Sequence, residues 1–121
     1  MKIWQRLVQR WSFLTFREHS SRITPRIRMF RLLEETLELS QAEGVDLADV
    51  YTIVDQVYSR PTGQPHQELG GVIVCAVAYA ACAGYDLEEA FWSEFERIMD
   101  PAMMEKVRTR NLSGDKIGMQ E

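Results

Sequence analysis

Residues 65–86 read PHQELGGVIVCAVAYAACAGYD, and the stretch describes one long helix and its end. Pro65 suits the first helical position, where a missing N–H costs nothing. From Leu69 to Tyr85 no charge interrupts the run, and apolar residues point in nearly every helical direction. A helix of that kind belongs in the centre of a bundle. Gly70, Gly71, Ala76, Ala80 and Ala83 allow neighbouring helices to come close. A membrane span takes ~20 predominantly apolar residues, so a buried core helix is expected and not a span. Gly84 then stops the helix, Asp86 caps the next, and Glu89 stands at the capping-box position.

The same punctuation occurs upstream. In Ala42-Glu43-Gly44-Val45-Asp46-Leu47, Gly44 ends one helix and Asp46 caps another, with Val45 and Val50 at the hydrophobic-staple positions. Thr24-Pro25 offers a cap followed by a first-turn proline. Ser59-Arg60-Pro61-Thr62-Gly63-Gln64-Pro65 is a turn-rich loop. Helices are therefore expected over roughly 2–18, 24–43, 47–59, 66–83 and 87–99, with a short helical tail over 101–109. Ile27, Phe30, Leu33 and Leu37 keep helical spacing in the second, as do Leu47, Val50, Val54 and Val57 in the third. No strand-type alternation persists. The expected fold is all-α, a bundle of about five helices in one domain with its core over 24–99. A basic N-terminal helix and a polar tail over 101–121 flank it.

Length and charge narrow the function. A chain of 121 residues buries only about two-thirds of its unfolded surface, so completion by dimerisation is expected. Residues 1–31 carry eight bases against one acid, a balance of +7. Residues 32–100 carry fourteen acids against Arg60 and Arg97, a balance of −12. Such a middle repels a long nucleic acid, but suits a site that holds cations and meets phosphates at its rim. Solvated helix faces would give the same charge pattern. Cys75 and Cys82, seven residues apart on one helix, stand about 10 Å apart, too far for a disulfide. They read as reduced packing residues, and Lys2, Gln5, Arg6 and Gln9 break up any signal-peptide pattern, so a cytoplasmic, membrane-free protein is expected.

The chemistry is concentrated in Arg31-Leu32-Leu33-Glu34-Glu35-Thr36-Leu37-Glu38. Glu35 and Glu38 are one turn apart and share a face, and Glu34 and Glu38 are also adjacent. Stacked like charges destabilise a helix by a few tenths of a kcal/mol unless a cation lies between them. Carboxylates are the ligands that hard cations such as Mg²⁺ prefer. Glu68 lies in the first turn of the apolar helix, where the helix dipole favours an acid. If helices 24–43 and 66–83 pack antiparallel, Glu35, Glu38 and Glu68 converge. An acidic surface stripe is the plainer interpretation of the same string.

The pattern Glu34-Glu35-x-x-Glu38, followed by an acidic first turn on a later helix rich in small residues, resembles the MazG-like all-α nucleoside triphosphate pyrophosphohydrolases. The phrase from Arg60 to Val72 is especially similar to phage-encoded and prophage-encoded members. The resemblance covers about residues 26–98. It implies a dimer or tetramer that binds Mg²⁺, or Mn²⁺, and hydrolyses a nucleoside triphosphate to the monophosphate and pyrophosphate. By position it implies Glu35, Glu38 and Glu68 as metal ligands and Glu34 as the residue that holds or deprotonates the attacking water. The chain departs from the family at Gly71, where an Asp is usual. Asp55 on the neighbouring helix offers a further carboxylate, and an exposed acid is its plainer reading.

Arg28, Arg31, Lys106, Arg108 and Arg110 are candidate phosphate contacts, although Arg31 is also spaced to pair with Glu34. Trp4, Trp11, Phe13, Phe16 and Phe30 are available to stack on a base, or to fill a core. Two other classes compete. One is a catalytically impaired nucleotide-binding or interaction module, favoured by Gly71 and by the aromatic first helix. The other is histidine phosphotransfer through His66, which lacks the usual Lys three residues on because Leu69 stands there.

Overall fold

The structure, a computed structural model, describes residues 2–119. It contains six α-helices and no strand among those residues: α1 Lys2–Phe16, α2 Pro25–Ala42, α3 Leu47–Tyr58, α4 Pro65–Ala83, α5 Leu87–Met99 and α6 Pro101–Leu112. A 3₁₀ segment, Arg17–Arg22, links α1 to α2. The all-α expectation holds, with a sixth full helix where a short tail was expected.

The caps explain the boundaries. Thr24 Oγ1 accepts the Ile27 N–H at 3.3 Å, and Asp86 Oδ1 accepts the Glu89 N–H at 2.9 Å. Asp46 occupies the cap position of α3 in extended backbone, but its side chain makes no cap bond. Gly44 and Gly84 lie at φ of 86° and 79°, the left-handed region that favours glycine. Beyond each, Val45 N–H reaches back to Ser40 O and Tyr85 N–H to Ala80 O, closing the last turn. The sixth helix starts from Asp100-Pro101, where Asp100 Oδ2 accepts the Met103 N–H at 3.2 Å. The first helix ends at Phe16, two residues before its expected stop, because Arg17 turns to φ 50° and the Ser20 hydroxyl ties back to Arg17 O.

The chain divides into two compact units, Met1–Thr36 with Phe91–Glu121, and Leu37–Ala90. The first holds a true core of Trp11, Thr15, Phe16, Ile27, Asn111 and Met119. Trp11 Nε1 donates to Ile98 O at 2.8 Å, and Arg22 Nη2 to Met119 O at 3.1 Å. Gly118 lies so close to Ile27 and Phe30 that a Cβ there would collide with both side chains.

The second unit is different. In α3, Leu47, Tyr51, Ile53, Val54 and Val57 are exposed, and in α4 so are Leu69, Val72, Ile73, Val74 and Val77. Only Ala80 of α4 is buried. The expected central, buried helix is thus largely exposed. By length and composition α4 is apolar enough to cross a membrane, with a hydropathy of 1.3 over its best window. Within this unit Tyr79 Oη donates to Glu43 Oε2 at 2.6 Å. That bond, with desolvation and the Glu43 charge behind it, pushes the Tyr79 phenol up to about 12.

Candidate carboxylate site

Because α2 runs unbroken from Pro25 to Ala42, Glu34, Glu35 and Glu38 keep their helical spacing, with Glu35 and Glu38 one turn apart and both exposed. Glu34 is set apart from the other two. Its Oε1 accepts from Arg31 Nη1, and its Oε2 accepts from Lys116 Nζ at 2.6 Å. Arg31 also donates through Nη2 to Ile117 O at 2.6 Å, so the segment after α6 is tied onto α2 at this residue.

Near Glu35 stands Arg97 of α5. Its guanidinium grips Glu94 with two bonds of 2.7 Å, and that hydrogen bonding, then the charge of Glu94 and more weakly of Glu35, raises its pKa. The same bonds hold the Glu94 carboxyl below its ordinary value. Arg97 is a cation beside the acidic motif that the sequence pattern did not single out. Its only sequence signal is that it and Arg60 are the two bases in the acidic middle.

Glu68 sits in the first turn of α4, its N–H bonded to Gln64 O at 2.9 Å. Its carboxylate folds back over Gly63, so a Cβ at that glycine would push the Glu68 side chain aside. Gly71, one turn on, is the reverse: a Cβ there meets nothing within 4 Å. An acid at position 71 would therefore fit. Asp55 is exposed on α3, and His66 is exposed directly after Pro65, at the helix start.

The basic candidates separate by environment. Arg31 is engaged by Glu34, and Arg108 reaches Glu18 at 3.3 Å and Glu105 at 3.8 Å. Lys106 and Arg110 are exposed on α6. Arg28 is half-buried, its Nη2 donating to Ser12 Oγ, with its guanidinium 6.0 Å from the Trp11 ring and 5.8 Å from the Phe16 ring. Of the aromatic candidates, Trp11 and Phe16 are core, and Arg26 covers Phe30 at 4.7 Å. Trp4 stacks flat on Phe91 with centroids 4.1 Å apart.

Among the described residues no three His, Cys, Asp or Glu side chains gather into a group that could hold a metal ion. Glu35 belongs to the first unit, and Glu38 and Glu68 to the second. As donors, exposed carboxylates one turn apart are suited to a hard divalent cation, and the ion-paired Glu34 is not. Compared with family models, curated proteins and solved structures, the chain matches none.

Proposed function

We propose that the chain is a MazG-like nucleoside triphosphate pyrophosphohydrolase that works as a homo-oligomer in the cytoplasm. The observation that carries this reading is the set of carboxylates on α2. Glu34 is held by Arg31 and Lys116, and Glu35 and Glu38 stand exposed one turn apart on the same helix. Glu35, Glu38 and Glu68 are the metal ligands in this reading, with Asp55 in reserve. Mg²⁺ or Mn²⁺ bound by them would neutralise phosphate charge and favour attack by water. Glu34, fixed from both sides by cations, orients that water. Arg97, Lys106 and Arg110 are the bases that meet the phosphates. The products are the nucleoside monophosphate and pyrophosphate.

A second copy of the chain is the natural cover for α3 and α4, since burying each large apolar side chain contributes about 1.5–3 kcal/mol. Two free cysteines on α4 agree with a reducing compartment.

The test is pyrophosphate release from a panel of nucleoside triphosphates with Mg²⁺, using wild type, Glu38→Gln and Gly71→Asp. Loss of a carboxylate ligand should lower turnover by about 100-fold or more in Glu38→Gln. Gly71→Asp restores the family's acid at a position with space for it, and should raise turnover or tighten Mg²⁺ binding. Folded wild type that releases no pyrophosphate, while Gly71→Asp also stays silent, would move the reading to a nucleotide-binding or interaction module.

A further inference from the structure

The first unit contains a cavity of about 630 Å³, well within the range that takes small organic ligands. Trp4, Val8, Ser12, Phe13, Ile23 and Arg28 line it, with Phe91 closing one side. The lining is aromatic: Trp4 stacks on Phe91 in parallel planes 2° apart, and Phe13 is 58% exposed. The charged residue of the lining is Arg28. Arg28 bonds the Ser12 hydroxyl and faces the Trp11 and Phe16 rings, and among the described residues no carboxylate pairs with it.

A half-buried guanidinium without an anion is an unfinished arrangement. Its five N–H donors match a carboxylate, sulfonate or phosphate, and a hydrogen bond to a charged partner is stronger than the one to Ser12. Burial lowers the Arg28 pKa, with the Arg31 charge adding to it, in keeping with a cation short of counter-charge. Gln5 and Gln9, one turn apart on α1, add amides to the rim that can bond the edge of a flat heteroaromatic ring.

We propose that this cavity is a binding site for a small planar aromatic anion, whose ring packs against Trp4 and Phe13 and whose acidic group is held by Arg28. The site lies wholly within the first unit and does not depend on the pyrophosphohydrolase reading. Charge complementarity selects the occupant: a neutral aromatic would leave Arg28 unsatisfied, and an aliphatic anion would leave the ring wall bare.

The test uses naphthalenesulfonate and neutral naphthalenemethanol as probes on the full chain, followed by the indole N–H signals of its three tryptophans. Naphthalenesulfonate should bind saturably and shift the Trp4 signal. Arg28→Met should weaken it by about tenfold or more and leave the neutral probe nearly unchanged, since a charged hydrogen bond contributes about 1.5–3 kcal/mol. Val8→Trp keeps the cation but fills the cavity, and should abolish binding of both probes; it also decides the matter if Arg28→Met fails to fold. Equal sulfonate binding by wild type and Arg28→Met, retained binding in Val8→Trp, or shifts confined to residues 47–85 would overturn the proposal.

Discussion

The Tyr79–Glu43 bond gives the second unit a titration of its own. A phenol raised from 10.0 to about 12 is stabilised in its protonated form by the folded state. The sign follows: its contribution is fully present below about pH 10 and is lost as pH rises from there through about 12. Tyrosinate absorbance should therefore show a late titration step near pH 12, and Glu43→Leu, which removes the acceptor, should abolish it. Absence of that late step would mean the bond does not form in solution. Residues also mark the limit of sequence reading. The i,i+3 spacing of Arg31 and Glu34 is visible in the string, and the bond is present. Lys116 reaches the same carboxylate from 82 residues away, and no periodicity encodes that.

Helices were largely legible, since their ends are chemical events. Gly44 and Gly84 had to be glycine-like positions, and Thr24-Pro25 and Gln64-Pro65 had to be starts. Asp100-Pro101 is the same phrase, yet the helix it opens was expected to stop near 109 and instead runs to Leu112. Its weak amphipathicity hid its length, since Met103, Met104 and Val107 are mixed with Lys106, Arg108 and Arg110. Burial was the harder property. Apolar character on all sides of α4 identified a helix that needs cover, but not that the helix is exposed in this chain. On α4, Leu69, Ile73 and Val77 form one exposed stripe, and on α3 Leu47, Tyr51, Val54 and Tyr58 form another. Light scattering should accordingly find a dimer or larger species in wild type. Ile73→Glu with Val77→Glu should leave a monomer that is folded in the first unit only, since burying an unpaired carboxylate costs several kcal/mol. A monomeric wild type with protected α3 and α4 amides would contradict this.

Across the whole molecule, charge follows the two units. Residues 37–90 contain nine acids and one base, Arg60, a balance of −8. The remainder contains thirteen bases and nine acids, a balance of +4. Self-association through the apolar second unit, as proposed, would therefore bring like charges together. Salt shortens the reach of that repulsion, to about 10 Å at 0.1 M ionic strength. Raising ionic strength should tighten the oligomer by about tenfold between low salt and near-physiological salt. Mg²⁺ should exceed NaCl at equal ionic strength if Glu35, Glu38 and Glu68 hold it. Association that weakens with salt, measured by sedimentation, would show that the contact is made by ion pairs and not by α3 and α4.

The way the two units interleave also governs how the chain reaches its native state. Trp11 donates to Ile98 across 87 residues, and Arg22 to Met119 across 97. The first core therefore cannot close until the whole of α3 and α4 has been synthesised between its halves. Large loops of this kind are slow to close, and transiently exposed apolar helices invite misassembly. On a ribosome the second unit's apolar helices emerge before the first unit's core can form.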